Sequence, residues 1–551
     1  MRLLWITVVL IPIAFSLYFA LHGLRESWDD GAILAAYART YADTGRIALT
    51  PSSPTVEGMS SLTWFLLLTV ARFFSNNPDV ILIWMKCASA LSLVLALTVF
   101  FRVACEQLAG SEKAALGCTL MLAFSYTSFL EVKNGMEMNL AMLLTISLFY
   151  VLTRLRGGTG CLIFGWCIAT LLLATRFESP LMLLLLAIGL YFDGDHRAGR
   201  PSHRGLFILA AGTLVSFGIL ELWRHHTFGV WMPNTVYAKE WPPYSRWHGQ
   251  KSLTLWWGES VSAISVLFSA LGIPLLIAFV VTANGLLRKH IEWASLNRVS
   301  KAVWTLSFGA FGVAWIIGKD WGYSGRMIVP MLPFLLIAIA ALCRSALANK
   351  ARFIHLLGGI VAWQFCLWFI VVIYASKPTV SIEEVRRYAL GADAIRNALH
   401  KQTLPVMLPD VGGSALYGEH LRILDSALLS NPELAKHGWS YFGQYFHKTR
   451  PDAFETHSLW AIYQNAYNSN LLNDYSIVSA NGKRFFVRND LFAQLLTGKD
   501  GKIVPVDASS SCLGGPLPAD IAFSRTRKVC LVLEPAAVAA SSLPAKRTAF
   551  Q

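Results

Sequence analysis

Two adjacent carboxylates, Asp29 and Asp30, stand in the stretch SWDDGAIL a few residues after an apolar run. Carboxylates at the edge of a bilayer are costly in lipid and mark functional sites by default. One of them could cap the helix-forming segment GAILAAYARTYADTGRI that follows. Two caps at one terminus are redundant, and like charges this close raise each other's pKa. One capped and one solvent-facing carboxylate beside a low-dielectric boundary is a way to hold a general base. Further charged and polar residues recur in short connections: Glu57 in SPTVEGMSSLTW, Lys133 and Glu137 in KNGMEMN, Arg176 and Glu178 in TRFESP, Asn234, Tyr237 and Lys239 in PNTVYAKE, and Lys319, Asp320 and Arg326 in GKDWGYSGR. Transfer of a sugar from a lipid phosphate needs this division of labour. The leaving group is already an anion and is stabilised by cations, while the acceptor hydroxyl needs a base. A two-carboxylate glycosidase needs acids on opposite faces of the sugar, about 5–10 Å apart, which neighbouring residues do not supply. Glu57, Glu137 and Asp320, further acids on the same face as the Asp pair, could form a cluster that holds a divalent cation; no cofactor is otherwise implied.

The elements that must position these residues are membrane helices. The chain has 551 residues, 55% hydrophobic and 15% charged, with mean hydropathy +0.49. A soluble protein carries about 25% charged residues, so the apolar excess faces lipid. Runs at 3–22, 79–103, 113–130, 138–153, 160–175, 180–192, 205–223, 262–287, 302–317, 327–345 and 353–375 give eleven spans. The first is too long for a signal-peptide core of about 7–15 residues and lacks a cleavage site. The run 61–74 is short, carries Arg72, and either spans or lies in the interface.

Charge decides between those readings. With 61–74 outside the bilayer core, Arg154/Arg156, Arg197/Arg200/Arg204, Arg288/Lys289/Arg298/Lys301 and Arg344/Lys350/Arg352 all fall on one side. The positive-inside rule makes that side cytoplasmic, with the N-terminus. Every polar, aromatic and glycine-rich motif named above then falls on the other side. The net charge of +14 is spread over these short loops and needs no nucleic acid; no nucleic-acid motif accompanies it. Walker and dinucleotide fingerprints are absent. Seven cysteines lie in or beside apolar runs, while Cys512 and Cys530 could pair outside the cytoplasm.

Beyond residue 378 hydrophobicity falls. VMLPDVGGSALYGE reads as a buried strand, a turn and a helix start; LRILDSALL and KRFFVRN read as strands, and 383–400 as a helix. The expected organisation is a membrane domain at 1–377, an extracytoplasmic α/β domain at 378–534 and a low-complexity tail at 535–551.

The ordered set WDDGAILAAYARTYADTGRI, VEGMSSLTW, NGMEMNL, ATRFESPLMLLL, MPNTVYAK, GKDWGYSGRMIVPMLP and LPDVGGSALY…RILD resembles bacterial GT-C glycosyltransferases. Within these it is most similar to the group containing the mycobacterial terminal arabinofuranosyltransferases, over residues 1–460. Phe177 departs from the family's Arg-Pro-Glu, and Lys319 from the glycine usual before Asp320. The resemblance implies a polytopic helical enzyme of the bacterial inner membrane that takes a pentose or hexose, such as arabinofuranose, from a polyprenyl-phosphate sugar. It implies a catalytic aspartate at Asp29 or Asp30, inversion in a single displacement, and a donor phosphate met by cations such as Lys239 and Arg326. The donor enters between spans, and the C-terminal domain presents an envelope glycan or glycoconjugate. Rival readings are a GT-C transferase moving another sugar to lipid A, O-antigen or pilin, a lipid-sugar flippase, and a sensor or scaffold. A carrier would place polar residues deep in its spans and on both faces.

Overall fold

The computed structural model describes residues 2–154, 159–193, 203–244, 272–317, 325–347, 349–374, 380–467, 470–497, 501–505 and 529–533. Each of the eleven apolar runs is helical where described, apart from a break at Phe124-Ser125 and the lead-in residue Gly272. The first part of the chain forms α1 (Arg2–His22), α2 (Asp29–Thr44), α3 (Leu62–Arg72), α4 (Pro78–Gln107), α5 (Glu112–Ala123), α6 (Tyr126–Asn134), α7 (Met138–Arg154), α8 (Thr159–Thr175), α9 (Ser179–Phe192), α10 (His203–Phe228) and α11 (Asn234–Ala238). Helices Ile273–Leu287, Lys301–Ile317, Leu332–Leu347 and Lys350–Tyr374 follow, the third led in by a 3₁₀ turn at Arg326–Met331.

Four described helical segments are long and apolar enough to cross a bilayer alone: α4, α10, Arg326–Leu347 and Lys350–Ile370. The pair α5 and α6, bent by 48°, makes a fifth if read as one span. The remaining runs give shorter apolar helices, so a count of eleven crossings rests on the charge pattern and not on helix length. The run 113–130, expected as one span, is thus two helices meeting at a bend. Ser125 breaks the helix by capping α6, its Oγ accepting the Ser128 N–H at 3.2 Å. The carbonyl of Phe124 accepts from Gln364 Nε2 at 3.2 Å, so the break leaves that oxygen bonded. Helix α3 has eleven residues, a rise of about 16 Å against a hydrocarbon core of about 30 Å. It cannot cross. It packs on α2 and α4 and leaves Phe73 and Phe74 exposed. On α10, Phe207 and Leu214 are 75% and 70% exposed, as expected of a helix whose surroundings are lipid.

The connections sort to two ends of the bundle. At one end Ser300 N–H donates to Gln107 Oε1 (2.8 Å), Lys301 N–H to Asp193 Oδ1 (2.7 Å) and Arg344 Nη1 to the Leu108 carbonyl (2.6 Å). These are the arginine- and lysine-rich connections. The α1–α2, α6–α7 and α8–α9 connections, the segment before α11 and Arg326 meet at the other end.

The C-terminal part is α/β. Described strands are β1 (Leu404–Leu408), β2 (Leu421–Asp425), β3 (Ala453–Phe454), β4 (Tyr475–Ala480), β5 (Lys483–Arg488), β6 (Gly501–Pro505) and β7 (Val529–Leu533), in the order β2-β1-β3-β5-β4-β7-β6. β2, β1 and β3 run parallel; β4 and β5 form a hairpin through Asn481-Gly482, both at positive φ, the signature of a type I′ turn. The sheet is not a separate bead. Ala32, Tyr37, Phe65 and Met85 from α2–α4 share one hydrophobic core with Ile382, Val406, Leu416 and Phe485. The α1–α2 linker also pairs with the start of helix Ile382–Ala398: Ile382 and Glu383 N–H donate to the Ser27 and Arg25 carbonyls at 3.0 and 2.9 Å. Cys512, the 377/378 boundary and the tail 535–551 lie outside the described residues, and with Cys512 so does the Cys512–Cys530 pairing.

Candidate active site

The Asp pair divides. Helix α2 begins at Asp29, and neither carboxylate caps its own helix. Asp29 is 7% exposed and accepts from the Gly412 and Gly413 N–H groups at 2.8 and 2.6 Å. It therefore fastens the first turn of helix Gly412–Tyr417 onto α2. Burial first, then the charge of Asp410, pushes its carboxyl well above the ordinary range, against those two bonds. The double glycine has a steric cause. A Cβ on Gly412 would stand 2.2 Å from the Asp29 carbonyl oxygen, and one on Gly413 2.6 Å from that of Ile382.

Asp30 points elsewhere. Its side chain is 31% exposed, and Oδ2 lies 3.5 Å from Arg326 Nη1. It lines a cavity of about 550 Å³, mouth included, together with Arg176, Arg326, Lys239, Tyr244 and Thr235 and an apolar floor of Ile33, Leu34, Met59, Met136 and Leu429. The turn carrying Asp30 rests on the end of α6. The Trp28 N–H donates to Asn134 Oδ1 at 3.1 Å, and a Cβ on Gly31 would lie 2.7 Å from the Asn134 carbonyl oxygen.

A buried charge network holds the guanidinium groups. Arg326 Nη2 is 3.3 Å from Glu137 Oε1; Arg176 bonds the same Glu137 and places Nε 2.8 Å from Glu178 Oε1. Burial alone would raise the Glu137 pKa, but Arg326 and Arg176 outweigh it and hold the carboxyl below its ordinary value. Glu137 and Glu178 thus position the cations from behind. KNGMEMN is not an open loop. Lys133 and Asn134 end α6, and Gly135 at φ 67° turns the chain directly toward α7.

Of the residues expected at the site, Asp30, Arg176, Lys239 and Arg326 converge on the cavity. Others do not. Glu57 is buried in a two-point ion pair with Arg224, at 2.6 and 3.1 Å; burial raises its pKa against that partner. Asn234 Nδ2 donates to the Leu428 and Leu429 carbonyls, both at 2.9 Å, tying α11 to the C-terminal domain. Tyr237 packs on the aromatic core of that domain. These three make contacts that hold the fold, and none of them is among the residues lining the cavity. Asp320 and Lys319 lie outside the described residues. Among the described residues no three His, Cys, Asp or Glu side chains converge to hold a metal ion.

Sequence reasoning missed Tyr244, four residues past the PNTVYAKE stretch, whose hydroxyl donates to the Ala427 carbonyl at 2.8 Å. Burial, then the fields of Asp425, Asp30 and Asp410, push that hydroxyl well above its ordinary pKa. It missed Arg224 as well, whose charge near the end of an apolar helix was the available signal. A smaller groove between α8, α9 and α10, lined by Leu173, Phe177, Phe217 and Leu220, adjoins the cavity through Ser60, which lines both.

No family model matches the chain, and no curated protein matches it. Solved structures do. ArnT from Cupriavidus metallidurans bound to undecaprenyl phosphate aligns at TM-score 0.54 and 15% identity, over 89% of this chain and 98% of that one. The Archaeoglobus fulgidus oligosaccharyltransferase tethered with an acceptor peptide containing the NVT sequon aligns at TM-score 0.54 and 11% identity, over 88% and 74%. Its complex with an inhibitory peptide and a dolichol-phosphate gives 0.50, 10%, 88% and 74%. The chain therefore shares the GT-C fold of these polytopic membrane proteins, including a C-terminal domain.

Proposed function

We propose that this chain is an integral-membrane glycosyltransferase that moves a sugar from a polyprenyl-phosphate donor to an envelope glycan or glycoconjugate. The observation that carries the reading is a single cavity, in a fold shared with a structure bound to undecaprenyl phosphate, that sets the carboxylate of Asp30 against Arg326, Arg176 and Lys239. Asp30 takes the proton of the acceptor hydroxyl, whose oxygen attacks the anomeric carbon. The bond from that carbon to the phosphate oxygen breaks on the opposite face, inverting the centre. The phosphate leaves as an anion stabilised by the guanidinium and ammonium groups. At 3.5 Å the Asp30–Arg326 contact is long for an ion pair. A donor phosphate that draws Arg326 to itself removes that stabilisation from Asp30 and makes it a stronger base when the donor is in place.

The basic end of the bundle faces the cytoplasm of a bacterial inner membrane, and the site faces outward. Arabinofuranose is the proposed sugar, from the resemblance of the ordered motifs. The test is turnover in lipid nanodiscs of polyprenyl-phosphate arabinofuranose, aminoarabinose, mannose and galactose, read as release of polyprenyl phosphate. The expected result is turnover of one donor that Asp30→Asn abolishes. Full turnover in Asp30→Asn, or no donor bound and none consumed, overturns the reading.

A further inference from the structure

Helix α4 buries a charge that the transfer scheme leaves unused. Lys86 is fully enclosed within the protein. Taking an ammonium out of water costs several kcal/mol unless its partners compensate. Among the described residues its hydrogen-bond partners are neutral oxygens: Nζ donates to Ser27 Oγ at 3.1 Å and to the Lys133 carbonyl at 2.5 Å. The second oxygen lies in the last turn of α6, where carbonyls lack a helical partner and the helix dipole favours a cation. The Glu131 carbonyl of that turn accepts from Ser89 Oγ and the Met136 N–H, and that of Val132 from the Gly135 N–H. Lys86 satisfies the next carbonyl in line.

The two oxygens belong to the two pieces of chain that meet at the Asp pair. Ser27-Trp28 leads directly into Asp29, and the Trp28 N–H donates to Asn134 Oδ1 at 3.1 Å. The junction leaves no spare room. A Cβ on Gly31 would stand 3.0 Å from Met85 Cε, and one on Gly135 2.5 Å from Met85 Cγ. The Gly135 carbonyl accepts from Trp64 Nε1 at 3.1 Å. Beyond Gly135 the chain runs into Met136, on the cavity wall, and Glu137, which bonds Arg176 and Arg326. Residues 133–137 therefore hold the turn of Asp30 at one end and the guanidinium groups at the other.

We infer that Lys86 is a positioning residue for sugar transfer: by tying Ser27 to the end of α6 it sets the separation between Asp30 and the guanidinium groups of Arg176 and Arg326. The inference rests on the transferase reading. Lys86 does not line the cavity, so it acts through Ser27 and Lys133 and not on the substrate. The donor phosphate meets cations that Glu137 holds. The base must reach the acceptor oxygen on one face of the sugar while the bond to phosphate breaks on the other, and a displacement of about 1 Å costs up to about 10²-fold in rate. Loss of Lys86 thus slows the chemical step and spares donor binding. A purely structural ammonium predicts the reverse, with fewer folded molecules that each turn over at the parental rate.

The experiment uses the full chain in nanodiscs. Turnover per folded molecule is measured at saturating concentrations of whichever polyprenyl-phosphate sugar the parent consumes among arabinofuranose, aminoarabinose, mannose and galactose. Affinity for undecaprenyl phosphate is measured beside it. Lys86→Met keeps the apolar body of the side chain and removes its charge, while Ser27→Ala removes one of its partners. Lys86→Met lowers kcat at least tenfold and keeps undecaprenyl phosphate affinity within twofold. Ser27→Ala lowers kcat as well, and adds less than twofold in the Lys86→Met background because both act through one contact. A parental kcat in folded Lys86→Met, or a loss of undecaprenyl phosphate affinity in step with kcat, overturns this inference alone. Where Lys86→Met does not fold, Ser27→Ala decides, and a kcat within twofold of the parent's overturns it. A parent chain that consumes none of the four donors overturns the transferase reading with it.

Discussion

Replacing each member of the Asp pair by asparagine should separate their roles. In Asp29→Asn one carboxylate oxygen becomes an NH₂ group facing a glycine N–H. The variant loses one of the two charge-assisted bonds at 2.6 and 2.8 Å, each worth about 1.5–3 kcal/mol, and leaves a buried donor unsatisfied. Relief from burying a charge offsets part of this, so a net cost of about 1–3 kcal/mol is expected. In Asp30→Asn the weakened contact is a long one at 3.5 Å, with the carboxylate 31% and the guanidinium 10% exposed, worth about 1 kcal/mol. The effect on chemistry runs the other way. Removing a general base costs about 10²–10⁴ in rate, whereas Asp29→Asn slows turnover only through the docking of Gly412 and Gly413. The assay pairs thermal unfolding in nanodiscs with donor turnover. An Asp29→Asn protein of parental stability and no turnover, beside an active Asp30→Asn, would refute the assignment.

Three further outcomes follow from the geometry. Gly412→Ala places a Cβ 2.2 Å from the Asp29 carbonyl oxygen and should cost at least about 1–3 kcal/mol by overpacking, seen as a lower melting temperature. Glu57→Gln removes one of the two bonds that Glu57 makes to Arg224, which keeps its ion pair with Glu221; a loss of about 1–3 kcal/mol is expected, with the donor KM of the surviving folded fraction unchanged. The pH dependence centres on His457, where burial opposes the charge and Glu455 and Asp410 outweigh it. Its folded pKa of about 10 exceeds the unfolded value near 6.5, so its stabilisation is complete below pH ~6.5 and is lost as pH rises through ~10. A His457→Gln chain should lack that alkaline decline in unfolding titrations; an unchanged decline would show that His457 is not its source.

Much of the membrane part could be read from sequence because lipid imposes long apolar runs with charged ends, and 79–103, 138–153, 160–175 and 180–192 match their helices closely. The α5–α6 break could not be read that way, since Phe124-Ser125 interrupts the backbone without interrupting hydrophobicity. At the site, Asp30, Arg176, Lys239 and Arg326 were visible as charges at one membrane face. Glu57 and Asn234 stood in the same connections, and their partners, Arg224 and the Leu428–Leu429 carbonyls, lie 167 and 194 residues away in sequence, where no local pattern points to them. The β4–β5 hairpin was signalled by Asn481-Gly482, while the pairing of β1 with β3 depends on residues about fifty positions apart and leaves no local mark.

The anchoring of Arg25 and Ser27 to residues 382–383, and of Asp29 to Gly412–Gly413, sets an order of events during biosynthesis. Those partners emerge from the ribosome more than 350 residues after the linker they hold. Chains are made at about 5–20 residues per second, and their earlier parts fold first. The helices therefore insert while the turn that carries Asp29 and Asp30 still lacks its fastening, and a chain stalled before residue 413 has no glycine N–H pair to hold Asp29. The same timing leaves the apolar face of α2 and α3 uncovered until the last domain arrives, which marks that interval as the one in which a holding chaperone would be most needed.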